Sequence, residues 1–421
     1  MAGTANSESE DRAAGRTYLV VWIANFLAAL GMMAFLPFFP SYLRGLGVAE
    51  ENLPVWAGLC VGAAPLGAAL MGPIWGALGD RFGRKPMVLR ALFGLVVFVG
   101  LMALARTPLQ LLALRVAQGV FSGFLPPSVT MVTLSFPAGR SGRIAGGLQA
   151  AMASGAILGP LFGSLFRETF APSYLFLATA LLCALGGILV LLFTREPETR
   201  RGRLASDVEL PGLRDVFSDL FGRLYSMIRK PHLGLALGFL FLTQFGIGAT
   251  NPQLELYVGQ LEPGWTLHEV GRHTAWLFSV MALFSVFAMP YWGRVGDVRG
   301  HGRVLLIAAG ASGIALCISG LAPGYWALFV GRLCLGLFGA GLGPAAFGLV
   351  AQVTPREEQG AANGAVFSAR ALALAFSSML GGFFAGIIGM RALFLVGGVG
   401  LAFLTLVSAQ RLGRPSVSDA D

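Results

Sequence analysis

The sequence predicts an all-α polytopic membrane protein, with twelve transmembrane helices in two pseudo-symmetric six-helix halves. Three observations predict it. Of 421 residues, 55% are hydrophobic and only 12% charged, against roughly 25% charged in soluble domains. Apolar runs of about 20 residues, the length that spans a bilayer core, recur along the whole chain. Finally, the two sides of one polar linker repeat each other.

Twelve runs can be delimited, at 18–43, 55–78, 87–105, 108–134, 143–166, 172–194, 234–258, 272–292, 303–321, 325–350, 361–387 and 391–410. None alternates in polarity as barrel strands do, so each reads as a helix. The organisation is then an N-terminal tail (1–17), a first bundle (18–194), a linker (195–233), a second bundle (234–411) and a C-terminal tail (412–421). The tail MAGTANSESEDRAAGRT is polar and mixed in charge, and the run behind it is too long for a signal-peptide core. Within the linker, Val216, Leu220, Leu224 and Ile228 form an i, i+4 stripe, consistent with an amphipathic surface helix or a solvated connector. Cys60, Cys183, Cys317 and Cys334 are singletons in apolar runs and read as buried thiols.

The net charge of +9 could suggest nucleic acid, but its placement indicates topology. With both termini inside, Arg44, Arg106, Arg167, Arg272 and Arg391 are the outer members of the 30 Lys and Arg residues. Arg115, Arg332 and Arg370 lie within helices, and all others fall on the cytoplasmic side. That bias follows the positive-inside rule and places the chain in the cytoplasmic (inner) membrane with cytoplasmic termini.

The repeat is seen most clearly in the loop between the second and third runs. In GALGDRFGRKPMVL, Gly76, Gly79, Asp80 and Gly83 recur 217 positions later as Gly293, Gly296, Asp297 and Gly300. The same offset carries Arg115, Gly119 and Phe121 onto Arg332, Gly336 and Phe338; an offset of 215 carries Pro37 and Tyr42 onto Pro252 and Tyr257. A six-helix unit has been duplicated in parallel, an architecture that places a substrate site between the halves. In the loop, Gly76 and Gly79 permit close helix approach. Asp80 can accept from the amides at a helix N-terminus, and Arg81, Arg84 and Lys85 can pair with carboxylates or lipid headgroups. With Gly83, Gly293 and Asp297 these residues make a candidate conformational latch; the plainer reading is inner-side charge on a tight turn.

GALGDRFGRKPMVL resembles the loop signature of the major facilitator superfamily, and the resemblance extends from the first run to the twelfth. LALRVAQGVFSG is similar to that family's fourth-helix motif, with Arg115 at its membrane-embedded, proton-linked arginine. GAILGPLFG resembles the fifth-helix motif of drug/proton antiporters, carried here by Gly155, Gly159, Pro160 and Gly163. LPFFPSYLRGLGV and LRVAQGVFSGFLPPSV resemble the MdtG-like branch of twelve-helix multidrug exporters. Independently of the family, the three glycines make one smooth helix face, and Pro160 removes a backbone hydrogen bond.

Intramembrane charge marks the remaining candidates. An arginine at a helix centre costs roughly 2.5–3.5 kcal/mol on insertion scales, so Arg115, Arg332 and Arg370 each need a cavity or a partner. No acidic residue lies in the middle of a run. Glu255, near the outer end of the seventh, comes nearest, with Glu168 ending the fifth. A proton site can therefore be Glu255, the first choice for coupling beside Arg115, or Asp80 with Arg115; alternatively an ionisable substrate exchanges directly. The candidate substrate-binding set is Asn25, Met32, Phe35, Gln118, Gln149, Met152, Gln244, Asn251, Arg332 and Arg370, an apolar surface with few polar groups. Its methionines can repack around varied shapes.

No HExxH, Cys-x-x-Cys pair or phosphate loop occurs, so the expectation is not an enzyme, with no metal and no cofactor. It is a monomeric secondary transporter that exports amphipathic small molecules in exchange for protons, surrounded by membrane lipids. A lipid or glycolipid flippase, a nutrient or sugar transporter, and a non-transporting receptor are the alternatives.

Overall fold

A computed structural model describes residues 2–136, 141–196, 231–353 and 359–412, with Ser218, Gly222, Tyr225 and Arg229. The described residues are helical almost throughout, with no strand among them. Eleven of their segments are long and apolar enough to cross a membrane. The run at 234–258 supplies the twelfth expected helix, built as two helices joined by a single tight turn. The linker stripe of Val216, Leu220, Leu224 and Ile228 lies outside the described residues, which within 213–228 are Ser218, Gly222 and Tyr225.

The chain forms two compact units, one of residues 1–48 and 63–217, the other of 49–62 and 218–421. The first holds α1 (Ala2–Phe35), α2 (Phe39–Gly45), most of α3 (Leu53–Phe82), α4 (Arg84–Met102), α5 (Pro108–Phe121), α6 (Leu125–Thr133), α7 (Ser141–Thr169) and α8 (Pro172–Phe193). The second holds α9 (Pro231–Thr250), α10 (Leu254–Leu261), α11 (Leu267–Arg299), α12 (His301–Gly320), α13 (Tyr325–Gly339), α14 (Leu342–Val353), α15 (Gln359–Ile388) and α16 (Met390–Leu412).

Two boundaries differ from the sequence reading. Helix α1 begins at Ala2, so the polar segment 1–17 extends the first helix rather than forming a separate tail. Its Ala, Glu and Arg content favours helix. The segment 49–62 packs in the second unit, because glycines allow backbone contact there. A Cβ on Gly62 would meet the Ala375 carbonyl at 2.6 Å, and one on Gly58 would collide with the Ser378 carbonyl.

Both units use one packing scheme. In the first, α1 packs on α7 and α8, and α4 on α8 and α5; in the second, α9 packs on α15 and α16, and α12 on α16 and α13. The second unit's apolar core includes Phe239, Leu305, Leu342 and Leu401 in one cluster, with Leu254, Tyr257, Leu277, Leu328 and Phe394 in another. Cys60 and Cys183 are buried, Cys317 and Cys334 half-buried, and none of the four is in a disulfide among the described residues.

Candidate functional site

The site is built on breaks in long helices. In the first unit α1 gives way to α2 through a 3-10 turn at Leu36–Phe38, with Pro37 at its centre. Proline cannot donate to the preceding turn, so the helix tightens and redirects there. Arg115 on α5 lies against this break, 2% exposed, its guanidinium carbon 5.8 Å from the Phe35 ring centre and 5.1 Å from that of Phe39. Its Nη1 donates to Gln118 Oε1 one turn on, and Gln118 Nε2 points at Met32 Sδ at 3.3 Å. Four predicted site residues, Arg115, Gln118, Met32 and Phe35, thus form one contact network. Asn25, two turns earlier on α1, is buried and donates to the Val21 carbonyl at 2.7 Å, and its Oδ1 has no partner among the described residues. Gln149 is exposed on α7 and Met152 half-buried.

The glycine face of α7 lies on α1. A Cβ on Gly155 would stand 2.5 Å from the Ala29 Cβ, one on Gly159 would stand 2.7 Å from the Leu30 carbonyl, and one on Gly163 would overlap the Ala34 carbonyl. Pro160 is buried inside the helix between them. A seam without side chains lets two backbones meet and shift along each other.

The loop between α3 and α4 is held by a residue absent from the predicted set. Gly83 turns the chain at φ 101°, a left-handed conformation suited to glycine. The first amides of α4 then point at Glu196: Arg84 N donates to Oε1 at 2.7 Å and Lys85 N to Oε2 at 2.6 Å. A carboxylate at a helix N-terminus meets both unsatisfied amides and the positive end of the dipole. Lys85 Nζ reciprocates at the other helix end, donating to the Leu191 and Thr194 carbonyls at 2.9 and 2.6 Å. Gly79 makes room for the Arg84 guanidinium; a Cβ there would come within 2.9 Å of Nη1. Arg81 lies over its neighbour Phe82, and Gly76 faces open space. The Asp80 side chain lies outside those described. An acid directly after the sixth apolar run, in TREPET, was the available signal for Glu196.

The second copy of the loop is built differently. Gly300 repeats the turn at φ 90° with nothing near it. His301 stands where Arg84 stands in the first copy, with its ring against Gly296 and its Nε2 3.5 Å from Asp297 Oδ1. Gly293 faces open space.

In the second unit Arg332 on α13 is wholly buried, 0% exposed. Its Nη2 donates to Asn251 Oδ1 at 2.9 Å and its guanidinium carbon is 5.6 Å from the Phe278 ring centre. Asn251 opens the 3-10 turn Asn251–Gln253 that separates α9 from α10. Glu255, one turn further on, is buried at 4% exposure. Gln244 is half-buried on α9 and Arg370 exposed on α15.

The profile of the Major Facilitator Superfamily matches residues 21–271 and again 233–419, two overlapping matches that together span nearly the whole chain. The multidrug resistance protein MdtG of Proteus mirabilis is 29% identical over 385 residues, covering 89% of this chain and 90% of its own length. The MdtG of Citrobacter koseri is 32% identical over 332 residues, 78% of each chain. The multi-drug resistance efflux pump PmrA of Streptococcus pneumoniae is 30% identical over 341 residues, 80% of this chain and 81% of the pump. Among solved structures, the nucleoside transporter NupG superposes with TM-score 0.77 at 14% identity, covering 94% of this chain and 99% of that one. The human organic anion transporter MFSD10 superposes with TM-score 0.69 at 20% identity, covering 94% and 99%. These two resemblances are of fold.

Proposed function

Because the chain belongs to the Major Facilitator Superfamily, we propose that it exports amphipathic, drug-like molecules across the cytoplasmic membrane by alternating access, in exchange for protons. The observation that carries the export reading is the seam of Gly155, Gly159 and Gly163 on α1. It lets α7 shift along α1 inside the first half, and the names of the relatives agree with the direction of transport. Both termini lie in the cytoplasm, the carrier is a monomer, and the loop at Gly76–Lys85 works on the inner side as a latch.

Within this reading Arg115 is the coupling residue of the first half. Desolvated against two phenylalanine rings and tied to Gln118, it holds a fixed positive charge at the helix break. Such a charge favours the ionised form of a nearby acid and responds when a substrate displaces its partners. Glu255 is the proton carrier of the second half, a buried carboxylate beside a helix break. Met32, Phe35 and Gln118 offer substrate a polarisable, apolar wall with one amide.

The test uses inverted membrane vesicles energised to an acid interior, with a pH-sensitive dye reporting the gradient. Amphipathic compounds are added one at a time to vesicles bearing the parent, Arg115→Ala or Glu255→Gln. Compound-dependent collapse of the gradient, lost in both variants, is the expected result. Collapse that survives Glu255→Gln removes that residue from the proton path, and no collapse with any compound overturns proton antiport.

A further inference from the structure

Each unit carries the same device on its first long helix. A proline-centred 3-10 turn breaks the helix, at Leu36–Phe38 and at Asn251–Gln253. Five residues past each proline a tyrosine hydroxyl ties the outgoing segment to a carbonyl at a helix end. Tyr42 donates to Met102, the last residue of α4, at 2.7 Å, and Tyr257 donates to Ser319, near the end of α12, at 2.9 Å. An arginine from the unit's fourth membrane helix then meets the break itself. Arg115 lies over the rings of Phe35 and Phe39, which flank the first turn. Arg332 bonds the side chain of Asn251, which opens the second.

Packing alone does not explain Arg332. It is wholly buried, and among the described residues its Nε and Nη1 have no hydrogen-bond partner. Replacing a buried charge with an apolar side chain of similar volume is often neutral or stabilising, and Leu335 and Leu328 on the same helix show that apolar packing is available. What a leucine cannot do is hold the Asn251 carboxamide. Tyr257 fixes the middle of α10, so the Arg332–Asn251 bond sets how α10 leaves the turn, and with it where Glu255, between the two tied residues, stands. A bend held by one bond at the break and one beyond it has a natural point of release.

We propose that Arg332 is a positioning residue of the transport cycle: through Asn251 it sets the bend of the α9–α10 helix, as Arg115 does for α1–α2. The claim about the bend stands without the export reading, whereas its consequence for rate rests on it. The experiment therefore has two arms. In a background with the four cysteines replaced, spin labels are placed at Phe241 on α9 and Gln260 on α10, both exposed, so their separation reports the bend. Distance distributions are compared for the parent, Asn251→Ala, Arg332→Gln, the double variant and Arg332→Lys.

A second distance population is expected in both single variants, no larger in the double variant because one bond is lost in each. Recovery of the parent distribution is expected in Arg332→Lys, whose ammonium can still donate. Unchanged distributions in folded Asn251→Ala overturn the proposal, and that variant carries the test if Arg332→Gln does not fold. In the second arm, ethidium-driven proton flux through Asn251→Ala is expected to fall about tenfold at saturation, the loss of one charge-assisted hydrogen bond, with half-saturation within about twofold. A raised half-saturation at unchanged maximal rate makes Arg332 a ligand-binding group and overturns the positioning role. A parent that moves no protons with ethidium defeats the export reading for that compound and leaves the distance arm to decide the bend.

Discussion

Trp75 and Trp292 make the same hydrogen bond in the two halves of the molecule. The indole of Trp75 donates to the Val120 carbonyl at 2.6 Å, and that of Trp292 to the Leu337 carbonyl at 2.7 Å. Both acceptors sit in the last turn of a helix, α5 or α13, just before its break. Termination leaves such carbonyls without the amide one turn on; Gly341, the amide Leu337 has lost, bonds to Phe338 instead. Trp75→Phe and Trp292→Phe keep an aromatic ring and remove the donor. Each is expected to destabilise the protein by about 1–2 kcal/mol, the cost of an orphaned buried acceptor, read by calorimetry in detergent. A melting temperature unchanged in both rejects the role.

The seam on α7 predicts opposite signs for one substitution at two glycines. At Gly163 a Cβ has no space against Ala34, so Gly163→Ala is expected to cost about 1–3 kcal/mol and to slow transport. Gly146 lies on the same helix with nothing within 4 Å. There Gly→Ala is expected to stabilise by about 0.5–1 kcal/mol through helix propensity alone. Thermal unfolding of the two variants side by side decides it.

Glu196 and Gly83 are coupled through space. Glu196→Ala removes both acceptors from the start of α4 and is expected to cost about 1 kcal/mol, as loss of an N-cap does. Gly83→Ala brings a Cβ within 2.9 Å of that carboxylate and strains a left-handed φ. In the Glu196→Ala background the collision is gone and only the backbone strain remains. The double variant is therefore expected to be more stable than the sum of the singles predicts, by about 1 kcal/mol in a double-mutant cycle. Strict additivity rejects the contact.

Arg115→Lys is not expected to substitute for arginine. A lysine ammonium cannot spread over the Phe35 and Phe39 rings while reaching Gln118 in the same plane. Transport in energised vesicles is expected to drop to about a tenth or below with the protein still folded, as size-exclusion profiles report. Full activity in Arg115→Lys reduces the role of Arg115 to its charge.

The features legible in the sequence were those that depend on residue type at short spacing or on the repeat. Apolar runs gave the membrane helices, the repeat matched Pro37 with Pro252 without showing that each breaks its helix, and Arg115 and Gln118 were singled out separately. The partners that escaped are distant or are backbone. Glu196 meets Arg84 across 112 positions, and nothing in TREPET says which helix end its carboxylate reaches. Asn251 and Arg332 were each singled out, but as cavity-lining groups. Their bond needs the fold to bring positions 81 apart together, and it leaves Arg332 with no exposed surface. The packing of 49–62 in the second unit depends on glycine contacts that composition alone does not locate.

The tyrosine and tryptophan bonds also bear on how this architecture was inherited. Tyr42 and Tyr257 keep the donor while the accepting residue changes from Met102 to Ser319, and under Trp75 and Trp292 it changes from Val120 to Leu337. A carbonyl is supplied by any residue, so mutation at the acceptor position leaves the bond intact. After the ancestral duplication, selection could therefore act on one member of each pair while the other drifted. Statistical methods that look for correlated changes between contacting positions will pass over these bonds, although both halves share them.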